Sequence, residues 1–394
     1  MHFTPRPYQQ QAIDAAKDFF NSKDKHHGII ILPTGSGKSV VIANIAMQLP
    51  GKTIVFQPSI EILKQNYLKF TSYGFRAGIY SASANKKFIE RITFATIGSI
   101  HSKAYLFKDV EHIIIDECHL VNAGFEEVEG VKKGGMYYNF LQQLPHCRII
   151  GCTATPYRLG TGWPDGSCLK FITRTRPKIF SKVIYYIQNK VLFDAGHLAK
   201  LEYYSHEMID RGRLQLNSTG TDFTESSLKQ YYSEVNFTGK TIEVANRLLA
   251  KRKNLLVFCT MINEALEVMR GIPGARIVTG ETPSSERDKL LSDFKNGIVK
   301  CVVNVGVLTT GFDYPELEAV LIARSTMSLA LYYQMVGRAM RPHKDKTSSW
   351  IVDLGGNYNF FGKIETMEIR QDDKGLFAIY QGMKQLTNIS FQKK

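Results

Sequence analysis

Between residues 28 and 50 an apolar β-branched run, Gly28–Leu32, meets a glycine-bearing turn and then a helical stretch, Val40–Leu49. This junction limits the available folds more than any other feature. A strand that delivers the chain to a turn, with a helix carrying it back, is the first half of a parallel crossover unit. The turn reads Leu32-Pro33-Thr34-Gly35-Ser36-Gly37-Lys38-Ser39. Its glycines let backbone N–H groups curl around anionic oxygens with no Cβ in the way. The helix that follows presents its positive dipole end to the same spot. A lysine there suits phosphate charge, and the Ser39 hydroxyl suits a divalent cation. Leu32 stands where the usual eight-residue phosphate loop has its first glycine. Taken alone the stretch could be a mere turn; its strand–helix context points to a bound nucleotide.

The rest of the chain repeats the alternation of short β-branched runs with longer helical stretches, as a parallel sheet with helical crossovers requires. One series of strands is expected at Gly28–Leu32, Thr53–Gln57, Ile92–Ala95, His112–Ile115 and Arg148–Cys152. A second is expected at Asn254–Cys259, Ala275–Thr279, Lys300–Val305, Ala319–Ala323 and Ser349–Leu354. A length of 394 residues fits two domains at about 100–200 residues each. The pattern predicts domains over 1–159 and 241–364, a connector over 160–240 and a polar tail over 365–394. Within the connector a helix is expected at Val183–Ala195, closed by Gly196.

The second carboxylate-bearing feature is Ile113-Ile114-Ile115-Asp116-Glu117-Cys118-His119. Open α/β sheets bind ligands at the carboxyl ends of their strands, and successive strand side chains point opposite ways. Asp116 can therefore hold Mg²⁺ while Glu117 orients and deprotonates an attacking water. A hydrophobic run ending in two carboxylates is more often a strand cap; after a phosphate loop at this separation the catalytic reading gains.

Lys and Arg exceed Asp and Glu by 50 − 36 = 14, a surplus that suits a polyanion, since each neutralised phosphate releases counterions. A solvated basic face is the bland alternative. The segment Met1–Arg6 has no apolar signal core, and no apolar run approaches the about 20 residues that span a bilayer. The cysteines at 118, 147, 152, 168, 259 and 301 include no CxxC pair, which argues against a zinc ribbon or disulfide scaffold and fits a reducing cytoplasm.

With these motifs in order, the chain resembles the superfamily 2 helicases. Asp116-Glu117-Cys118-His119 looks like their DExH box, and Thr153-Ala154-Thr155-Pro156 their coupling motif. Asn304–Pro315 resembles the fifth motif, and Gln334-Met335-Val336-Gly337-Arg338-Ala339-Met340-Arg341 the sixth. Within the superfamily the likeness is to bacterial RadD-type DNA-repair helicases and related phage proteins, through Arg6-Pro7-Tyr8-Gln9-Gln10, Thr279-Gly280-Glu281-Thr282-Pro283 and Val307–Asp313. The cysteine-rich C-terminal extension of RadD-type proteins has no counterpart in this sequence.

The resemblance implies an α/β fold of two RecA-like parallel-sheet domains in tandem, with an ATP site in the cleft between them. It implies ATP and Mg²⁺ as cofactors and DNA with a single-stranded region as partner. Glu117, Lys38, Gln334, Arg338 and Arg341 would be catalytic, and Ser39 and Asp116 would hold the metal. Phe3, Arg6, Gln9, Thr34, Gly35, Ser36, Gly37, Lys38, Ser39, Gly311 and Asp313 would bind the nucleotide, with Gln9 on adenine. Gln57, Pro58, Ser59, Thr96, Gly98, Ser99, Thr279, Gly280 and Thr310 would touch the nucleic-acid backbone. An RNA helicase and a translocase that moves without separating strands, inside a larger complex, stand as alternatives.

Two arginines three apart share a helix face, and a planar bidentate cation suits charge spreading over phosphoryl oxygens. Lys170, Arg174, Arg176, Lys178 and Lys182 lie among Phe171, Phe180, Tyr185 and Tyr186, which could stack exposed bases or simply pack a core. Lys132-Lys133 favours a solvated loop, and His26, His27 and His197 have no metal-ligand spacing.

Overall fold

A computed structural model of the chain describes residues 4–24, 26–121, 125–128, 131–163, 166–206 and 208–389. It divides into two compact units, one formed by residues 1–158 with 170–187, the other by 159–169 with 188–394.

The first unit is built on eight strands: β1 (His27–Ile31), β2 (Lys52–Phe56), β3 (Gly78–Ser81), β4 (Lys86–Phe88), β5 (Ile92–Ala95), β6 (Val110–Asp116), β9 (Arg148–Thr153) and β12 (Phe180–Tyr186). The strand numbers between them belong to two hairpins, β7 (Phe125–Val128) with β8 (Val131–Gly134), and β10 (Tyr157–Trp163) with β11 (Gly166–Phe171). Sheet order is β12-β1-β9-β6-β2-β5-β3-β4. Every pairing is parallel except β3 with the edge strand β4. The isoleucine runs Ile29–Ile31 and Ile113–Ile115 are almost wholly buried. Strands covered on both faces read as continuous apolar runs in this way, without alternation.

The second unit carries six parallel strands: β13 (Leu201–Ser205), β14 (Leu255–Cys259), β15 (Arg276–Val278), β16 (Cys301–Val305), β17 (Ala319–Ala323) and β18 (Ser349–Asp353). Their order is β13-β18-β17-β14-β16-β15. The core on one face gathers Leu255, Val257, Val303 and Leu321 with Leu228, Tyr232, Phe237 and Val268. A small antiparallel sheet follows, β19 (Met367–Gln371), β20 (Phe377–Gln381) and β21 (Lys384–Gln385).

Three expectations need correction. The stretch Val183–Ala195 is not one helix. Residues up to Tyr186 belong to β12, and only Asn189–Asp194 is helical. Val183, Ile184, Tyr185 and Tyr186 are β-branched or aromatic and fit a half-buried pleat, where Ile29 pairs with Val183 and Ile30 with Tyr185. Gly28 leaves room for Ile184, whose side chain a Cβ there would overlap. The stretch 160–240 also supplies strands to both large sheets, β12 to one and β13 to the other. The tail, finally, is not merely polar: it forms a sheet of its own in which Ile369 and Ile379 are buried, with Leu386 buried beside it. Among the described residues no helix is long and apolar enough to cross a membrane.

Gly151, in β9, is a tight point behind the turn that carries Glu117 and Cys118. A Cβ there would lie 2.6 Å from both Cβ and Sγ of Cys118 and 2.9 Å from Cε1 of Phe180. Overpacking of a rigid core costs about 1–3 kcal/mol. Gly151→Ala should lower the urea midpoint of the full chain accordingly. An unchanged midpoint would mean that the turn after β6 has slack to move.

Candidate active site

Helix α2 (Lys38–Gln48) starts directly after β1 and its turn. Gly35 and Gly37 have φ of 83° and 82°, left-handed values that cost an ordinary residue strain but not glycine. A Cβ on Gly37 would run into the Gln9 amide. That amide comes from helix α1 (Pro7–Asn21), whose Pro7 occupies the first helical position, where a missing N–H costs nothing. Gln9 Oε1 accepts from the Arg6 N–H at 2.9 Å, and its Nε2 donates to the Ser36 carbonyl at 2.8 Å. The Tyr8 hydroxyl donates to the same carbonyl at 2.6 Å. The start of α1 thus holds the turn in shape from outside, while the buried Ser36 hydroxyl has no hydrogen-bond partner. An open backbone cradle with an unspent buried hydroxyl fits a phosphate group.

Lys38 reaches from this turn to the carboxyl end of β6. Its Nζ lies 2.9 Å from Asp116 Oδ1 and forms a second ion pair with Glu117 Oε1. Burial alone would pull the lysine pKa down, but the two carboxylates outweigh it and the pKa is raised. Burial pushes Asp116 up, opposed by the Lys38 cation. Glu117 sits in the left-handed region, φ 48° and ψ 49°, uncommon for a residue with a Cβ and frequent at strained functional positions. The turn swings its carboxylate toward β9. There Thr153 Oγ1 donates to Glu117 Oε2 at 3.4 Å, and His119 Nδ1 lies 2.8 Å from Thr153 Oγ1 and 3.2 Å from Thr155 Oγ1. Both threonines are fully buried. Burial and the neighbouring Lys38 charge hold the His119 pKa down to about 3, so its imidazole is neutral. The expected water-activating carboxylate and the expected coupling residues therefore form one connected network.

Two side chains that the motif spacing misses also enter this site. Helix α3 (Ile60–Ser72) sends Asn66 Nδ2 to 3.5 Å from Asp116 Oδ2 and Lys69 Nζ to 3.3 Å from Ser39 Oγ. Their i,i+3 spacing on one helix face is the only signal the sequence held.

In the second unit Arg338 and Arg341 come together differently from expectation. The helix Leu329–Gly337 ends before both of them. They converge nonetheless: Arg338 Nη1 donates to the Phe312 carbonyl at 2.7 Å and Arg341 Nη1 to the same oxygen at 3.2 Å. Arg338 Nε also donates to the Gln334 carbonyl, and Arg341 pairs with Asp313 at 2.9 Å. Burial lowers the Arg341 pKa, opposed by Asp313. Gly311 bends this loop with φ of 74°.

The expected strand-contact residues are less uniform. Gln57 and Thr279 are buried; the Gln57 carbonyl accepts from Asn66, and the Thr279 hydroxyl accepts from the Glu281 N–H. Ser59 caps α3 by accepting from the Ile62 N–H. Thr96 bonds to Ser81 and Ser99, and Ser99 to the Ala82 N–H. Pro58, Gly98, Gly280 and Thr310 keep exposed or half-exposed positions. The aromatics of 171–186 are mostly not a stacking surface: Phe171 and Phe180 are buried in cores, and the Tyr185 hydroxyl donates to Gln11. Their size lets them bury more area than an exposed stack would. Phe3 and the side chains of Lys132 and Lys133 lie outside the described residues. The described cysteines 118, 147, 152, 259 and 301 are free and buried.

Comparison with known families matches residues 2–158 to the type III restriction enzyme res subunit and residues 240–343 to the helicase conserved C-terminal domain. The chain belongs to the superfamily 2 helicases. Among helicase relatives, the RadD-type likeness rests on the sequence motifs alone. A 51.5 kDa protein of a Lactococcus phage is 26% identical over 85% of this chain and 67% of its own length. The Saccharomyces cerevisiae protein IRC3, by name an ATP-dependent helicase, is 24% identical over 89% of this chain and 51% of its own. The DNA 3'-5' translocase XPB2 of Sulfurisphaera tokodaii is 24% identical over 86% and 79%. The chain thus spans about two thirds of the phage protein and half of the yeast helicase. The fold is shared with a fragment assigned to the HsdR subunit of a Vibrio vulnificus type I restriction enzyme, at TM-score 0.66 and 21% identity over 92% of this chain and 67% of that one. It is also shared with the DNA-bound restriction-modification enzyme LlaBIII, at TM-score 0.64 and 17% identity over 89% and 27%.

The neutral His119 carries a pH signature. Its pKa is depressed from 6.5 to about 3, so below pH 6.5 the unfolded chain takes up a proton that the folded chain refuses. The stability that His119 contributes is complete above pH 6.5 and is lost as pH falls toward 3. Between pH 7 and 5 the urea midpoint of the wild-type chain should fall more than that of His119→Gln. Parallel pH profiles for the two proteins would show that the imidazole is not held neutral.

Proposed function

We propose that the chain is an ATP-driven DNA motor that moves along a strand or separates a duplex, in repair, recombination or replication. The observation that carries this reading is the buried Lys38 ion-paired with both Asp116 and Glu117 at the end of a glycine turn. Few chemistries besides phosphoryl transfer use a cation placed between a phosphate cradle and two carboxylates.

In the proposed mechanism the backbone of Thr34–Lys38 takes the phosphates, and Lys38 leaves its carboxylates to bear on phosphate charge. Gln9 retains one N–H and one carbonyl lone pair after its two bonds, the pair that an adenine edge accepts. Ser39 and Asp116 would hold Mg²⁺, which when bound neutralises charge on the phosphates. Glu117, freed of Lys38, orients and deprotonates the attacking water, and Thr153 and His119 fix its second oxygen. Arg338 and Arg341 are proposed to bear on transition-state charge, a task for which the planar guanidinium fork is suited. Their partners in this structure include the Phe312 and Gln334 carbonyls and the half-exposed Asp313, which arginines can exchange. Pro58, Ser59, Gly98, Gly280 and Thr310 are proposed to meet backbone phosphates, which position a strand without reading sequence.

DNA as the substrate is supported by the +14 charge and by the named activity of relatives such as XPB2. The test is ATP hydrolysis with single-stranded DNA, forked DNA, duplex DNA and RNA at matched length and salt. DNA with a single-stranded region should stimulate most, and its binding should weaken steeply with salt. Stronger stimulation by RNA would make the chain an RNA helicase, and stimulation without strand separation a translocase.

A further inference from the structure

We infer that α3 is a relay between the bound strand and the metal-holding residues, with Asn66 as its positioning residue. The inference rests on the motor reading above. The helix begins at Ser59, whose hydroxyl is its N-cap, so Pro58 and Ser59, proposed to meet the strand, are continuous with it and with the buried Gln57. Two turns further, Asn66 Nδ2 donates to Gln57 Oε1 at 2.8 Å and reaches to 3.5 Å from Asp116 Oδ2. Three residues on, Lys69 Nζ lies 3.3 Å from Ser39 Oγ. The two residues proposed to hold Mg²⁺ are therefore each addressed by a side chain from the same face of one helix, and that helix starts at the strand-contact loop.

The distances indicate how the relay works. At 2.8 Å the Gln57 bond is fully formed, whereas 3.5 Å is the outer limit of a hydrogen bond. A shift of about half an ångström along the helix would make or break the contact to Asp116. Asp116 is nearly fully buried, where a hydrogen bond to a carboxylate is stronger than in water. The Asp116 carboxylate already receives Lys38 and the Glu117 N–H at Oδ1, which leaves Oδ2 for Asn66. Gln57 Nε2 is itself buried without a partner. A strand phosphate drawing on this loop would move Gln57, and Asn66 with it, and so alter how Asp116 presents its second oxygen. Strand occupancy would then change nucleotide affinity through the carboxylate rather than through any direct contact.

The experiment measures that coupling by binding, without turnover. The affinity of the full chain for a fluorescent non-hydrolysable ATP analogue with Mg²⁺ is determined with and without saturating single-stranded DNA. By thermodynamic reciprocity the ratio is the same when read as DNA affinity with and without nucleotide. Asn66→Ala should reduce the ratio at least threefold, while DNA affinity in the absence of nucleotide stays within twofold. Gln57→Ala should reduce it similarly, and the double variant by no more than either single one, as members of one chain behave. Asn66→Ser replaces the alanine variant if that protein loses its native unfolding transition. A ratio unchanged in Asn66→Ala and Asn66→Ser would overturn the relay while leaving the motor reading intact. A wild-type chain that binds no nucleic acid would overturn both.

Discussion

The site depends on one buried lysine. Lys38 is mostly shielded from water, and its charge is held by Asp116 and Glu117. Removing one partner from a buried ion pair costs about 3–5 kcal/mol, because the other charge is left uncompensated. A cluster of one cation and two carboxylates is therefore a store of electrostatic energy that a polyphosphate can redirect. In the proposed mechanism phosphate oxygens would take the cation and release two carboxylates together, one to hold metal and one to handle water. Binding and activation become a single electrostatic event.

The surrounding fold serves that event. Parallel strands bring the glycine turn after β1, the carboxylates after β6 and the threonines at the end of β9 to adjacent positions, since β1, β9 and β6 are neighbours in the sheet. The Leu32 N–H donates to the Thr153 carbonyl at 3.0 Å, so the phosphate turn and the coupling motif share a backbone hydrogen bond. Gly151 lets the Cys118 turn settle against β9, which is what allows the left-handed Glu117 to face Thr153. The glycine-turn lysine, Glu117 and Thr153 are thus linked within a few ångströms.

Much of this was legible in the sequence because the strands are buried on both faces and so read as unbroken apolar runs. Ten strands and the phosphate turn lie within a residue or two of expectation. Val183–Tyr186 was harder: a short apolar run beside a genuine helical turn at Asn189–Asp194 carries no periodicity that separates strand from helix. The tail hid a sheet because β19 to β21 are each five residues or fewer, too short to stand out. Arg338 and Arg341 converge through the Phe312 carbonyl rather than along a helix, a geometry invisible to residue spacing. Asn66 and Lys69 are ordinary polar residues on a helix surface, and only their reach to Asp116 and Ser39 gives them a place. Phe171 and Phe180 resolve to the core-packing alternative, because both are buried.

The measurement closest to the central claim is steady-state ATP hydrolysis by Glu117→Gln at saturating single-stranded DNA, alongside equilibrium nucleotide binding. The substitution keeps the shape of the side chain and removes its charge, so Lys38 retains Asp116 and the phosphate turn stays intact. A general base is worth about 10²–10⁴-fold in rate. The mechanism predicts a loss of that size in turnover with nucleotide and DNA affinity preserved. Turnover within a few-fold of wild type would contradict it, and would leave Glu117 as a structural partner of the lysine.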